Sequence, residues 1–126
     1  MKEEINLPLK KFGEAVDRLK EGIAHGHDEL HQDGVIQRFE FTFELLWKTL
    51  RIFLENKGIS VMTPKDSLKA AFKIDLIQDD EAFLQMLQDR NLSSHLYSKE
   101  EAAAIFQRIK TRYLPLIENL QKKISA

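Results

Sequence analysis

Apolar residues recur at steps of three and four along almost the whole chain, a period that helices satisfy and strands do not. Leu9, Phe12, Val16, Leu19 and Ile23 share one face of a first helix. Gly22 and Gly26 weaken its end, and His25 to Gly34 reads as a polar loop. A second helix runs from about Val35 to about Asn56, with Lys57-Gly58 as its stop signal. At 100° per residue, Val35, Ile36, Phe39, Phe43, Leu46, Trp47, Leu50, Phe53 and Leu54 form one broad stripe, while Phe41, Leu45 and Ile52 fall almost opposite. Gln37, Glu40, Glu44, Lys48 and Arg51 make a polar strip between them. A surface helix needs one apolar stripe. A second stripe predicts cover from another helix of the chain or from a partner, most simply a second copy in a symmetric homodimer.

Thr63-Pro64 is a strong start for a third helix, because Thr caps and Pro lacks an N–H that would be unpaired there anyway. This helix carries Leu68, Ala71 and Phe72 and fades near Asp75. Asp79 or Asp80 caps a shorter helix with Phe83, Met86 and Leu87 inward, ending near Leu92. Ser98 and Glu101 have the spacing of a capping box. The last helix carries Phe106, Ile109, Tyr113, Leu116, Leu120 and Ile124, and Pro115 should kink or split it near Leu114. Four main helical segments, one of them subdivided, with short connections predict an all-α, antiparallel up-and-down four-helix bundle in one domain over residues 1–126.

Composition narrows the chemistry. Five Gly and three Pro in 126 residues are too few for a fold built on many tight turns. No cysteine means no disulfide, thiolate catalysis or iron–sulfur cluster. Lys plus Arg total 19 against 20 for Asp plus Glu, so bulk charge argues against a strongly basic nucleic-acid module but leaves room for a local basic patch. No apolar run approaches the roughly 18 residues of a membrane span. Met1 to Ile5 has neither the apolar core nor the cleavage pattern of a signal peptide, so the cytoplasm is the expected setting.

Phosphate loops and dinucleotide fingerprints are absent. There is also no Gly-Ser pair of the kind that precedes the metal-binding aspartates of a nucleotidyltransferase, so the chain is not expected to transfer nucleotides itself. His25, His27 and His31 lie near Asp28 and Glu29, but a Gly-flanked loop enforces no ligand geometry, and no metal or cofactor is expected. The informative stretch is Asp89-Arg90-Asn91-Leu92-Ser93-Ser94-His95-Leu96-Tyr97-Ser98. Arg90 shares a helical face with Phe83 and Leu87, so its guanidinium points inward and needs a partner. Two readings stand side by side. Arg90 could pair with Glu40 or Glu44 in a purely structural capping network. Alternatively, Arg90 could grip phosphate in a bidentate fork while His95 moves a proton. With no metal-ligand set in the sequence, such cleavage would use a ribose 2′-hydroxyl as nucleophile, which restricts it to RNA. Arg38, near the edge of the second stripe, is placed to line a dimer cleft.

Arg90-x4-His95-x-Tyr97 resembles the Arg-x4-His-x-Tyr motif of HEPN domains. The stretch Arg38-Phe39-Glu40-Phe41-Thr42-Phe43-Glu44-Leu45-Leu46-Trp47-Lys48 resembles the second-helix signature of their nucleotidyltransferase substrate-binding branch. The resemblance implies a dimerising four-helix bundle and a small nucleotidyltransferase partner encoded nearby. It implies a toxin–antitoxin pair in which this chain is a metal-independent ribonuclease, neutralised by the partner and in some pairs adenylylated on the motif tyrosine. Arg90 and His95 then become catalytic and Tyr97 the modification target, with Asn91, Ser93, Arg38 and Glu44 as supports and Phe41, Leu45 and Ile52 at the dimer interface. Other members imply a second role, a non-catalytic subunit that binds a nucleotide or RNA. A plain helical interaction protein is the third reading.

Overall fold

The computed structural model describes residues 2–92 and 98–126. Helix α1 spans Lys2–His25, α2 Glu29–Asn56, α3 Pro64–Lys73, α4 Asp80–Leu92, α5 Lys99–Arg108 and α6 Leu114–Ser125, with a π-helical turn at Ile109–Tyr113 joining the last two. The described residues contain no strand. They contain no helix long and apolar enough to cross a membrane.

The long helices α1 and α2 form the base of the bundle. Phe12, Val16 and Leu19 of α1 meet Val35, Ile36, Phe39, Phe43, Leu46, Leu50 and Leu54 of α2 in one core. Two buried threonines lie in that seam. The Thr42 hydroxyl donates within its helix to the Arg38 carbonyl at 2.7 Å, with the Ala15 carbonyl of α1 at 3.3 Å, and Thr49 donates to the Pro8 carbonyl at 3.4 Å. Each hydroxyl is therefore satisfied where an unpaired one would cost about 1–3 kcal/mol.

The polar loop from His25 to Gly34 is shorter than the sequence pattern suggests. Asp28 accepts the backbone N–H of His31 at 2.8 Å and starts α2 at Glu29. A good cap outweighs the poor propensity of Gly34, because it satisfies a donor that the first turn leaves open. At the other end Gly58 takes φ +81°, the left-handed position that closes a helix.

The remaining boundaries follow their caps. Thr63 accepts from Asp66 N at 3.1 Å, Asp79 accepts from Ala82 N at 3.1 Å, and Ser98 and Glu101 exchange both bonds of a capping box. Phe72 does not join Leu68 and Ala71 in the core but is 44% exposed. It lies one helical step past Ala71, on a helix that ends at the next residue. Pro115 opens α6 at its first turn, and the π turn before it takes up the change, with Leu114 N bonding back five residues to the Ile109 carbonyl. The buried series runs Tyr113, Ile117, Leu120, Ile124, at α-helical steps of four, three and four, and Leu116, expected inward, is half-buried because its neighbour Ile117 takes that place on the face.

The second stripe of α2 is covered unevenly. Leu45 and Ile52 are half-buried against the core, and only Phe41 stands largely open, at 56% exposed.

Candidate functional site

The site lies where the last turn of α4 meets α2 and the α5–α6 rod. Consecutive residues on a helix point about 100° apart, so Asp89 and Arg90 address different neighbours. Asp89 turns inward and is 5% exposed. Arg108 donates to it through Nε and Nη2, both at 2.9 Å, in a bidentate fork. The Tyr113 hydroxyl donates to the same carboxylate at 2.5 Å. Tyr113 is fully buried and stacks on Phe39, with ring centroids 5.4 Å apart. Burial, then the Asp89 carboxylate, push the Tyr113 phenol well above its usual range, and Arg108 only partly offsets them. The Arg108 guanidinium is held more firmly protonated by its bond to Asp89 against the cost of burial. The group is therefore a carboxylate, a cation and a neutral phenol, and it fastens α4 to the α5–π junction.

Arg90 turns toward α2. Its Nη2 bonds the Glu44 carboxylate, and its Nη1 donates to Asn91 Oδ1 at 3.1 Å. Of the two carboxylates that the polar strip of α2 offers, Glu44 is the one that pairs. It also has Lys48 Nζ at 3.5 Å, so one carboxylate lies between two cations. The Arg90 and Glu44 side chains are 29% and 33% exposed, so the pair is neither in the core nor fully solvated. A phosphate reaching Arg90 has to share it with Glu44 or displace Glu44.

The structure thus gathers Arg90, Asn91 and Glu44, all named from sequence. It leaves Arg38 elsewhere. Arg38 lies six residues before Glu44, about 9 Å along α2 and about 120° around it, and faces α1. His95, Tyr97 and Ser93 lie outside the described residues. Asp89, Arg108 and Tyr113 form a network beside Arg90 that the sequence reading did not assemble. Their one visible signal is an acid placed beside an inward-facing arginine.

The three histidines of the α1–α2 connection each have a separate contact. His25 Nδ1 lies 2.7 Å from the Glu21 carbonyl, His31 Nδ1 lies 2.7 Å from Asp28, and the His27 ring meets Phe106 edge-on. The His31 backbone N–H holds the Asp28 carboxyl below its usual range. No three His, Asp or Glu side chains among the described residues are placed to hold a metal ion.

Comparison with known proteins agrees with this architecture. The family described as nucleotidyltransferase substrate binding protein like matches residues 7–126, and the chain belongs to that family. A curated Haemophilus influenzae relative, named "Probable ribonuclease HepT", is 33% identical over 81 residues, which cover 60% of this chain. The match spans 56% of that relative's length. A crystal structure from Thermus thermophilus superposes with a TM-score of 0.85 at 33% identity, covering 91% of this chain and 99% of that one. A Haemophilus influenzae structure, described as revealing the fold of a substrate binding domain of a nucleotidyltransferase, superposes with a TM-score of 0.81. That match is 24% identical and covers 94% of this chain and 99% of the other.

Proposed function

We propose that this member of the nucleotidyltransferase substrate-binding family is a HEPN-type subunit that pairs with a small nucleotidyltransferase. In this reading it is a metal-independent endoribonuclease toxin, and the transferase neutralises it, by adenylylating Tyr97 in one form of the pairing. The observation that carries the reading is Arg90 itself. It is a permanent cation held at the end of α4 by Glu44 and Asn91, five residues before His95 in the chain. The name of the curated relative supports the same activity.

The chemistry would be an internal transesterification. The ribose 2′-oxygen attacks phosphorus as His95 takes its proton, the bond to the 5′-oxygen breaks, and that oxygen leaves with a proton. The products are a 2′,3′-cyclic phosphate and a 5′-hydroxyl. Arg90 stabilises the negative charge that builds on the phosphoryl oxygens. Asn91 and Ser93 support the phosphate, and a dimer across Phe41, Leu45 and Ile52 would bring two such sites into one assembly.

The test is cleavage of RNA by the purified, unmodified chain, with and without chelator, beside His95→Ala. Chelator-resistant cleavage that the variant lacks is the expected result. Equal cleavage by the variant would remove His95 from the chemistry.

One observation favours a second reading. Glu44 already neutralises Arg90, as suits a subunit that binds a nucleotide or RNA and releases it without turnover. Binding that depends on Arg90, with no cleavage at any protein concentration, would select this reading.

A further inference from the structure

The six arginines divide into two groups. Arg51 pairs with Glu55, Arg90 with Glu44, Arg108 with Asp89 and Arg112 with Asp79. Arg18 and Arg38 have no carboxylate within ion-pair distance among the described residues. These two line the same cavity between α1 and the first half of α2, together with Ala15, Gly34, Gln37 and Phe41. Its volume is about 370 Å³.

Arg38 is built into the cavity wall. Its Nη1 donates to the Arg18 carbonyl at 2.5 Å, which fixes the plane of the guanidinium. It lies against Gly22, where a Cβ would come within 3.3 Å of both Arg38 Cδ and Nη1. A side chain there would make Arg38 give by a few tenths of an ångström. A guanidinium has five N–H donors, and this carbonyl uses one. On its far side Arg38 borders a second cavity of about 260 Å³, whose lining includes Glu21 and His25. The first cavity has two cations, one amide and no carboxylate in its lining.

We infer that the α1–α2 cavity is an anion site separate from Arg90, and that it takes the phosphate group of a nucleotide, with Arg38 as the oriented fork and Arg18 as the second cation. Two cations without counter-ions attract a doubly charged phosphate more than a carboxylate, and a planar guanidinium matches two phosphate oxygens. The volume leaves room for the sugar attached to that phosphate. Two sources share this chemistry, a free nucleoside monophosphate and the terminal phosphate of an RNA strand. The inference does not depend on the ribonuclease reading, because it needs neither Arg90 nor His95.

Calorimetric titration of the full chain with AMP, adenosine and inorganic phosphate tests it. AMP and phosphate should bind in a salt-sensitive manner and adenosine should not. Arg18→Ala, at an exposed position, should weaken AMP by about tenfold, the scale of one charge-assisted contact. Arg38→Ala should abolish binding, and Arg38→Lys should restore part of it with the fold intact by circular dichroism. The AMP binding that remains in Arg90→Ala should still be weakened by adding Arg18→Ala. A short RNA with and without a 5′-phosphate separates the sources: a preference for the phosphorylated strand that Arg18→Ala removes assigns the cavity to RNA ends, and its absence assigns it to the free nucleotide. No saturable AMP or phosphate binding by the parent would overturn the inference, as would binding lost with Arg90→Ala but unchanged in Arg18→Ala and Arg38→Ala.

Discussion

The Tyr113 hydroxyl donates to the Asp89 carboxylate at 2.5 Å, one residue before Arg90 in the chain. Arg108 donates to the same carboxylate twice. The last turn of α4 is thus anchored from the α5–π junction on one side, and Arg90 is left to face α2 on the other. Residues 93–97 connect two elements whose spacing this network sets. Removing the Tyr113 hydroxyl deletes one bond and leaves Asp89 paired, so Tyr113→Phe should cost about 1–2 kcal/mol. Asp89→Ala strands a buried phenol and an arginine together and should cost about 2–4 kcal/mol. Urea unfolding of the two variants measures both, and equal costs would mean that the three residues do not act as one unit.

The same network sets an alkaline limit. The folded-state pKa of Tyr113 is raised above its unfolded value of about 10. The unfolded chain therefore releases the phenolic proton first. The stabilisation is complete below about pH 10 and is lost as pH rises toward the folded pKa. Stability should fall with rising pH above about 10 in the parent, and that component should vanish in Tyr113→Phe. Tyrosinate absorbance should show one of the two tyrosines titrating only as the protein unfolds. Free titration of both in the folded chain would contradict the burial argument.

These contacts also show what a linear sequence can carry. Thr63, Asp79 and Ser98 were legible as caps because a cap is a local bond across three residues. The pairing of Arg90 was legible as a choice between Glu40 and Glu44, since helical phase places both on the strip that a neighbouring helix would meet. The early start of α2 was hidden by Gly34, whose low propensity masks the cap at Asp28. Ile117 replaces Leu116 in the core because two adjacent apolar residues both fit the step between Tyr113 and Leu120, and periodicity alone does not choose between them. Asp89 joins partners 19 and 24 residues away, and no local spacing encodes that meeting. The Arg18–Arg38 cavity likewise depends on how α1 lies across α2.

Glu44 is the gate on Arg90. Its carboxylate occupies the guanidinium and is itself shared with Lys48. Glu44→Gln keeps the shape, removes the negative charge and takes one carboxylate partner away from each of two cations. RNA binding measured by fluorescence anisotropy should tighten several-fold, with a steeper dependence on salt, since each released cation adds a phosphate contact. Arg90→Ala should weaken binding and reverse that gain in the double variant. A Glu44→Gln protein that binds RNA no better than the parent would place the phosphate away from Arg90.

Modification of Tyr97 has its own readout. Coexpression with the proposed transferase partner should increase the intact mass by whole adenylyl groups, and Tyr97→Phe should prevent this. The unmodified parent should arrest growth and the modified one should not. A Tyr97→Phe chain that the transferase still neutralises would show that binding alone suffices.

Phe41 separates the dimer proposal from simple core packing. Leu45 and Ile52 are half-buried against the bundle, so substituting them would disturb the fold whether or not a partner covers them. Phe41 is 56% exposed, and a charge there costs the isolated chain little. In a symmetric dimer the same change buries two unpaired carboxylates, because each residue appears on both sides of the axis. The parent should therefore sediment as a dimer, and Phe41→Glu as a folded monomer with unchanged circular dichroism. The melting temperature of the parent should rise with protein concentration, and that of the variant should not. A parent that sediments as a monomer at tens of micromolar would leave the second stripe of α2 to a different partner.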